Sequence, residues 1–187
     1  IVSVNGSSQW KAGERVLVNP GICTVEDEWT RRGEDSISPG YKILGEQLRG
    51  GLAELVAVPI RNVYKIPEGI SFEEAAAPLL VGVTTWRMLY KRADLRPGES
   101  VLVVGSGGGV NSLTISLATK TGATVYALAG SAEKAKRAKE LGAIEAINYN
   151  EVRDWPIQLL KMTKGRGVDV VVDNVGQATI SKSLRCV

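Results

Sequence analysis

The stretch VLVVGSGGGVNS, residues 101–112, runs four apolar residues straight into a cluster of glycines. Ordering a glycine costs more backbone entropy than ordering any other residue, so Gly105, Gly107, Gly108 and Gly109 imply a need for bare backbone. Either the chain makes a tight turn here, or something approaches the main chain closely. The flanking pattern bears on the choice. SVLVV reads as a strand, VNSLTISLATKT as a helix and ATVYALA as a second strand, so residues 100–131 make one βαβ unit.

Working outward, the alternation continues. AEKAKRAKELG reads as a helix, EAINY as a strand, DWPIQLLKMTK as a helix, VDVVVD as a strand and ATISKSL as a helical start. Continuous apolar strands separated by amphipathic helices predict a doubly wound α/β domain, its parallel sheet covered on both faces. In a sheet of order 3-2-1-4-5-6 the chain supplies strands one to four, leaving the sheet incomplete at its C-terminal side with VDVVVD as a bare edge. Upstream, Ser71 and Glu74 form a capping-box pattern ahead of AAAPLL, and TTWRMLYKRADL reads as a helix ending before Pro97-Gly98. Residues 1–65 are β-rich and irregular: ERVLVNPG and GLAELVAVPI read as short strands, with TVEDEWTRRGEDSISPG between them as an exposed lobe. The expected division is 1–65 and 66–187.

Composition narrows the function. The 187 residues are 44% hydrophobic and 23% charged with net charge +3, and acids and bases are interleaved, which does not suit a nucleic-acid partner. The longest apolar stretch, AAAPLLVGV, is too short to cross a bilayer, and no signal peptide is visible, so no membrane partner is expected. Cys23 and Cys186 lie far apart with no metal or redox spacing and read as reduced thiols of a cytoplasmic protein. The chain contains no histidine, which removes the usual general base and the commonest zinc ligand. It opens on IVSV and stops at SKSLRCV in mid-pattern, so it reads as a piece of something longer.

Within a strand–glycine loop–helix unit, the glycines let backbone approach a pyrophosphate, whose charge the N–H groups at the helix N-terminus stabilise. The expected cradle is Gly105, Ser106, Gly107, Gly108, Gly109 and Val110. One departure is plain: the third glycine of the dinucleotide fingerprint falls on Val110 or, in the alternative alignment, on Asn111, which bears on helix–strand packing more than on phosphate binding. NAD-binding units usually end their second strand with an acid on the ribose 2′-hydroxyl. Here that strand ends at Ala129, Gly130 and Ser131, followed by a helix carrying Lys134 and Arg137 on one face. A hydroxyl, open N–H groups and two cations suit a 2′-phosphate, so NADP is expected in preference to NAD. The competing reading pairs the cations with Glu133 and Glu140, most seriously for Arg137.

The run KILGE…GGLAELVAVPIRNVYKIPEGISFEEAAAPLLVGVTTW…LRPGESVLVVGSGGGV, with AGSAEKAKRAKELGA, INY and VDVVVDNVG, resembles the medium-chain dehydrogenase/reductase superfamily over nearly the whole chain. That family comprises zinc alcohol dehydrogenases and their zinc-free quinone and enoyl reductase relatives. The resemblance implies part of a GroES-like catalytic domain followed by part of a Rossmann domain, acting on a small molecule in a homo-oligomeric full-length protein. It places Thr84 on the nicotinamide side, Tyr149 and Asn150 near the adenosine end, and Asn174, Val175 and Gly176 beside the cofactor. The family's structural zinc lobe carries four cysteines, and those positions fall on Thr24, Asp27, Thr30 and Ser38, with Cys23 one residue out of step. Hydroxyls cannot replace thiolates, so the lobe reads as retained and its metal as lost. Where catalytic-zinc members carry a cysteine or acid after PLL, this chain has Val81.

The resulting expectation is an NADP-dependent, zinc-independent oxidoreductase transferring hydride to or from a carbonyl or activated double bond, as in a quinone or enone. Two alternatives stand beside it: an alcohol dehydrogenase with zinc ligands outside this chain, and a redox-silent nucleotide-binding protein. No residue of the chain is singled out as catalytic.

Overall fold

The computed structural model describes residues 1–6 and 9–187. The chain packs as two units, Ile1–Leu80 and Val81–Val187. In the first, four short strands, β1 (Val16–Val18), β2 (Gly21–Cys23), β3 (Tyr41–Ile43) and β4 (Val63–Lys65), form two antiparallel pairs, β1 with β4 and β2 with β3. Buried Asn62 stitches them together: its Nδ2 donates to Asn19 O at 2.9 Å and Gly21 O at 2.6 Å. Helix α1 (Glu28–Arg31) lies within the polar lobe. Helix α2 (Phe72–Ala76) starts at the expected capping box, with Ser71 Oγ accepting from Glu74 N and Glu74 Oε2 from Ser71 N.

One expectation is corrected in this unit. GLAELVAVPI forms no strand; Leu52, Leu55 and Val56 are exposed, and residues 55–58 line a cavity of about 580 Å³ with residues 1–5. A strand needs a neighbour for its N–H and C=O groups, and among the described residues no strand runs beside it. The packing of the first unit extends past position 65. Ile66 N donates to Arg15 O, and the Arg15 guanidinium donates to Ile70 O at 2.7 Å while lying 4.5 Å over the Phe72 ring. These contacts hold residues 66–72 beside β1, within the compact unit that runs to Leu80.

Helix α3 (Leu79–Trp86) carries the chain into the second unit and continues as a π-helical stretch, Arg87–Arg92. Then strands β5 (Ser100–Val104), β6 (Thr124–Ala129), β7 (Glu145–Asn148) and β8 (Val170–Asp173) alternate with α4 (Gly109–Lys120), α5 (Ala132–Glu140) and α6 (Trp155–Met162), and α7 (Ile180–Ser183) follows. The strands form one parallel sheet of order β7-β6-β5-β8, the 3-2-1-4 order expected from the sequence. Every residue of β5 is buried. Val101 and Val103 pack with Ile115, Ala118 and Ala138 on one face, and Leu102 and Val104 with Trp155, Leu159 and Cys186 on the other. Side chains that alternate between two covered faces explain why β5 reads as a continuous apolar run. The topology leaves β8 at the sheet edge and puts the glycine loop where strand order reverses.

The edge strand is fastened to β5 by a charge. Asp169 Oδ2 accepts from Ser100 N and Ser100 Oγ, each at 2.7 Å, and Arg166 Nη2 donates to Oδ1 at 2.5 Å. The Arg166 guanidinium, then the Ser100 hydroxyl and N–H, hold the Asp169 carboxyl well below the usual carboxylate range. A depressed folded-state pKa gives stability that is present above the unfolded value, near pH 3.9, and is lost as pH falls below it. Unfolding measured from pH 6 to 2 is therefore expected to show a loss of stability beginning near pH 4 that Asp169→Asn weakens. At neutral pH the same substitution is expected to cost about 1–2 kcal/mol, reduced because Arg166 is largely solvent-exposed. An unchanged acid limb would remove the fastening.

Candidate cofactor site

The glycine loop joins β5 to α4. Gly105 has φ +84°, a left-handed conformation that favours glycine, and buried Ser106 donates its N–H to Leu128 O at 2.8 Å. A Cβ at Gly109 would touch Val81, and one at Gly107 would come within 3.3–3.4 Å of the Lys134 side chain, its ammonium nitrogen included. Around Gly108 the space is open. Gly108 is the N-cap of the 12-residue α4, with no side-chain cap, whereas α1, α2 and α5 are each capped by a side chain. The first-turn N–H groups of α4 are thus left for an outside acceptor, and a helix N-terminus with bare backbone suits a phosphate. Residues 105–109 therefore fit the pyrophosphate of a dinucleotide.

The ends of β6 and β7 bring further expected residues together. The Tyr149 hydroxyl lies 2.5 Å from where a Gly130 Cβ would stand, and Asn150 Nδ2 donates to Gly130 O at 2.8 Å. Ser131 Oγ caps α5 by accepting from Lys134 N. Arg137 instead donates to Glu140 Oε2 at 3.2 Å, the competing reading for that cation. Among the described residues Lys134 forms no ion pair. Its side chain lies against the glycine loop at Gly107, and no acid stands at the end of β6.

After β8, Asp173 organises the third side of the site. Partial burial pushes its carboxyl up, but the Ser183 and Thr179 hydroxyls and the Gly176 and Val175 N–H groups outweigh this and hold it below its ordinary value. Asn174 Nδ2 reaches Asn111 Oδ1 at 2.6 Å. A cavity of about 360 Å³ is lined by Val104, Gly105, Leu128, Tyr149, Trp155 and Val175, among others, so residues following β5, β7 and β8 share one space. Thr84 does not line that cavity; it is exposed on α3, next to Thr85, whose buried hydroxyl donates to Val110 O at 3.3 Å. Sequence reasoning passed over Thr85 and took Asn111 only as a missing glycine.

The lobe positions do not fit zinc. Asp27 carries the only carboxylate of the four, and it accepts from Ser38 Oγ at 2.6 Å, Thr30 N at 2.9 Å and Trp29 N at 3.0 Å. Cys23 Sγ donates to Ser38 Oγ, and Thr24 is exposed. A lone carboxylate already engaged by hydroxyl and amide donors lacks the thiolates of a structural zinc site. Among the described residues no three of Cys, Asp and Glu are grouped to hold a metal, and none of the helices is long and apolar enough to cross a membrane.

Residues 1–68 match the alcohol dehydrogenase GroES-like domain and residues 109–187 the zinc-binding dehydrogenase family. A crystal structure of an NAD-dependent alcohol dehydrogenase superposes with TM-score 0.92 at 40% identity, covering 97% of this chain and 53% of that one. Escherichia coli quinone oxidoreductase complexed with NADPH superposes with TM-score 0.71 at 30% identity, covering 97% and 48%. A quinone oxidoreductase of Pseudomonas aeruginosa is 36% identical over 74% of this chain and 42% of its own length. The chain thus spans about half the length of the proteins it matches.

Proposed function

We propose that this chain, which belongs to the medium-chain dehydrogenase/reductase superfamily, is part of an NADP-dependent oxidoreductase that moves hydride to or from a carbonyl or activated double bond without zinc. When bound, the nicotinamide supplies the hydride chemistry. The chain's own residues bind and orient. Residues 105–110 meet the pyrophosphate with backbone N–H groups, and Gly130, Ser131 and Tyr149 bound the adenosine ribose. Lys134 places an ammonium group where a 2′-phosphate would lie. Asn174 and Val175 border the far side, and Thr84 stands on the nicotinamide side. The reading of residues 1–65 and 66–187 as parts of a catalytic and a nucleotide-binding domain belongs to the same proposal.

The observation that carries the cofactor choice is Lys134 lying across Gly107 beside a strand end without an acid. Titration of intrinsic fluorescence should give tighter binding of NADPH than of NADH. Lys134→Ala should weaken NADPH about tenfold or more, the worth of a charge-assisted hydrogen bond, and leave NADH nearly unchanged. Equal affinities in the unmodified chain would sink the NADP assignment. They would favour the second reading, an alcohol dehydrogenase using NAD, to which the 40% identical neighbour points. Val81, packed against Gly109, and the hydrogen-bonded set around Asp27 support independence from zinc. Elemental analysis finding one tightly held zinc per chain would overturn it.

A further inference from the structure

In one of the two fingerprint alignments the usual third glycine falls on Asn111, the third residue of α4, which is 7% exposed. Its Nδ2 donates to Val104 O at 2.9 Å and to Gly105 O, the last carbonyl of β5 and the first of the glycine loop. Two backbone carbonyls can only be met by the amide nitrogen, so the orientation of this side chain is fixed by its partners. Its Oδ1 must then face Asn174, and Asn174 must answer with Nδ2, at 2.6 Å. The relay leaves Asn174 Oδ1 held as an acceptor on an exposed residue directly after β8.

The topology says which half of a dinucleotide that acceptor would meet. β6 and Lys134 lie on one side of β5, and β8 lies on the other. A dinucleotide spans the crevice where strand order reverses, so with its adenosine half over β6 its other half lies toward β8.

We infer that Asn111 is a positioning residue: it locks the Asn174 amide so that Asn174 Oδ1 accepts a hydrogen bond from an N–H or O–H on the nicotinamide half of the cofactor. This rests on the reading of the site as a dinucleotide site. The substitution of the third glycine is then a gain of a polar link rather than a loss of packing.

Calorimetric titration of the full chain with NADPH and with 2′,5′-ADP tests it, using NADH and AMP if the preference is reversed. Asn111→Ala should bind the dinucleotide about tenfold more weakly and the adenosine fragment within twofold of the parent. Exposed Asn174→Ala, which should not disturb folding, should give the same split, and the double variant should bind no more weakly than either single one. Equal weakening of both ligands by Asn111→Ala, additive losses, or full dinucleotide affinity in Asn174→Ala would each overturn the inference while leaving the site reading intact. A parent chain that binds neither ligand would remove the reading itself, and this inference with it.

Discussion

A Gly108→Asp chain is expected to fold as stably as its parent and to bind NADPH at least ~100-fold more weakly. Gly108 has φ −99° and ψ 162°, open to any residue, and a Cβ there meets nothing within 4 Å. Asp is also a favoured N-cap and would accept from the uncapped first turn of α4. Fold and binding are therefore driven in opposite directions. The new carboxylate takes the N–H groups offered to the phosphate and adds like charge beside it; at 4 Å two charges near a protein surface repel by about 4 kcal/mol. Gly108→Asn separates the two effects, since it caps as well without the charge and should lose clearly less affinity. Thermal unfolding alongside fluorescence titration reads both. A stable Asp variant with parental affinity would mean that no phosphate sits at this helix.

Gly167→Ala is expected to cost about 3–4 kcal/mol, large for a single added methyl. Gly167 has φ +78°, and its Cβ would stand 2.4 Å from Cys186 O, a backbone atom that cannot swing aside. That carbonyl accepts from Val168 N at 2.7 Å and ties the Leu184–Cys186 turn to the start of β8, with Cys186 fully buried beside Leu102 and Leu159. Left-handed backbone costs about 1–2 kcal/mol, the hydrogen bond about 1 kcal/mol more, and the displaced core packing makes up the rest. Gly165→Ala provides the comparison: φ is +83°, but the space is open, so only the backbone cost of about 1–2 kcal/mol applies. Denaturant midpoints of the two variants should differ clearly. Equal losses would mean that the carbonyl contact carries none of the effect.

The second unit was legible in the sequence because its determinants are local. The apolar run of β5, the glycines, and the helical period of α4 and α5 each act within a few residues, as does the Ser71–Glu74 capping box in the first unit. GLAELVAVPI misled because a strand is made by its neighbour as much as by its own pattern, and none runs beside it among the described residues. The packing of residues 66–72 onto the first unit was not legible, because Arg15 reaches forward to Ile70 and Phe72, a contact spanning more than fifty residues that leaves no trace in composition. In the candidate site, Lys134 and the missing acid could be read from strand-end chemistry. The tie between Asn111 and Asn174 could not, since 63 residues separate them and asparagine carries no periodic signal. The π-helical turn at Arg87–Arg92 likewise has no marker in TTWRMLYKRADL, which reads as ordinary helix.

The small lobe around α1 is closed by one carboxylate clasped by Ser38, Thr30 and Trp29. The Ser38 hydroxyl, more than any other neighbour, draws the Asp27 proton affinity below its ordinary value. A clasp of this kind assembles from the chain alone. Under the zinc-independent function proposed above, a newly made copy would not wait for an ion to be delivered, and a chelator would have nothing there to withdraw. On that proposal the lobe depends on acidity instead of supply: protonate Asp27 and the clasp loses its charge.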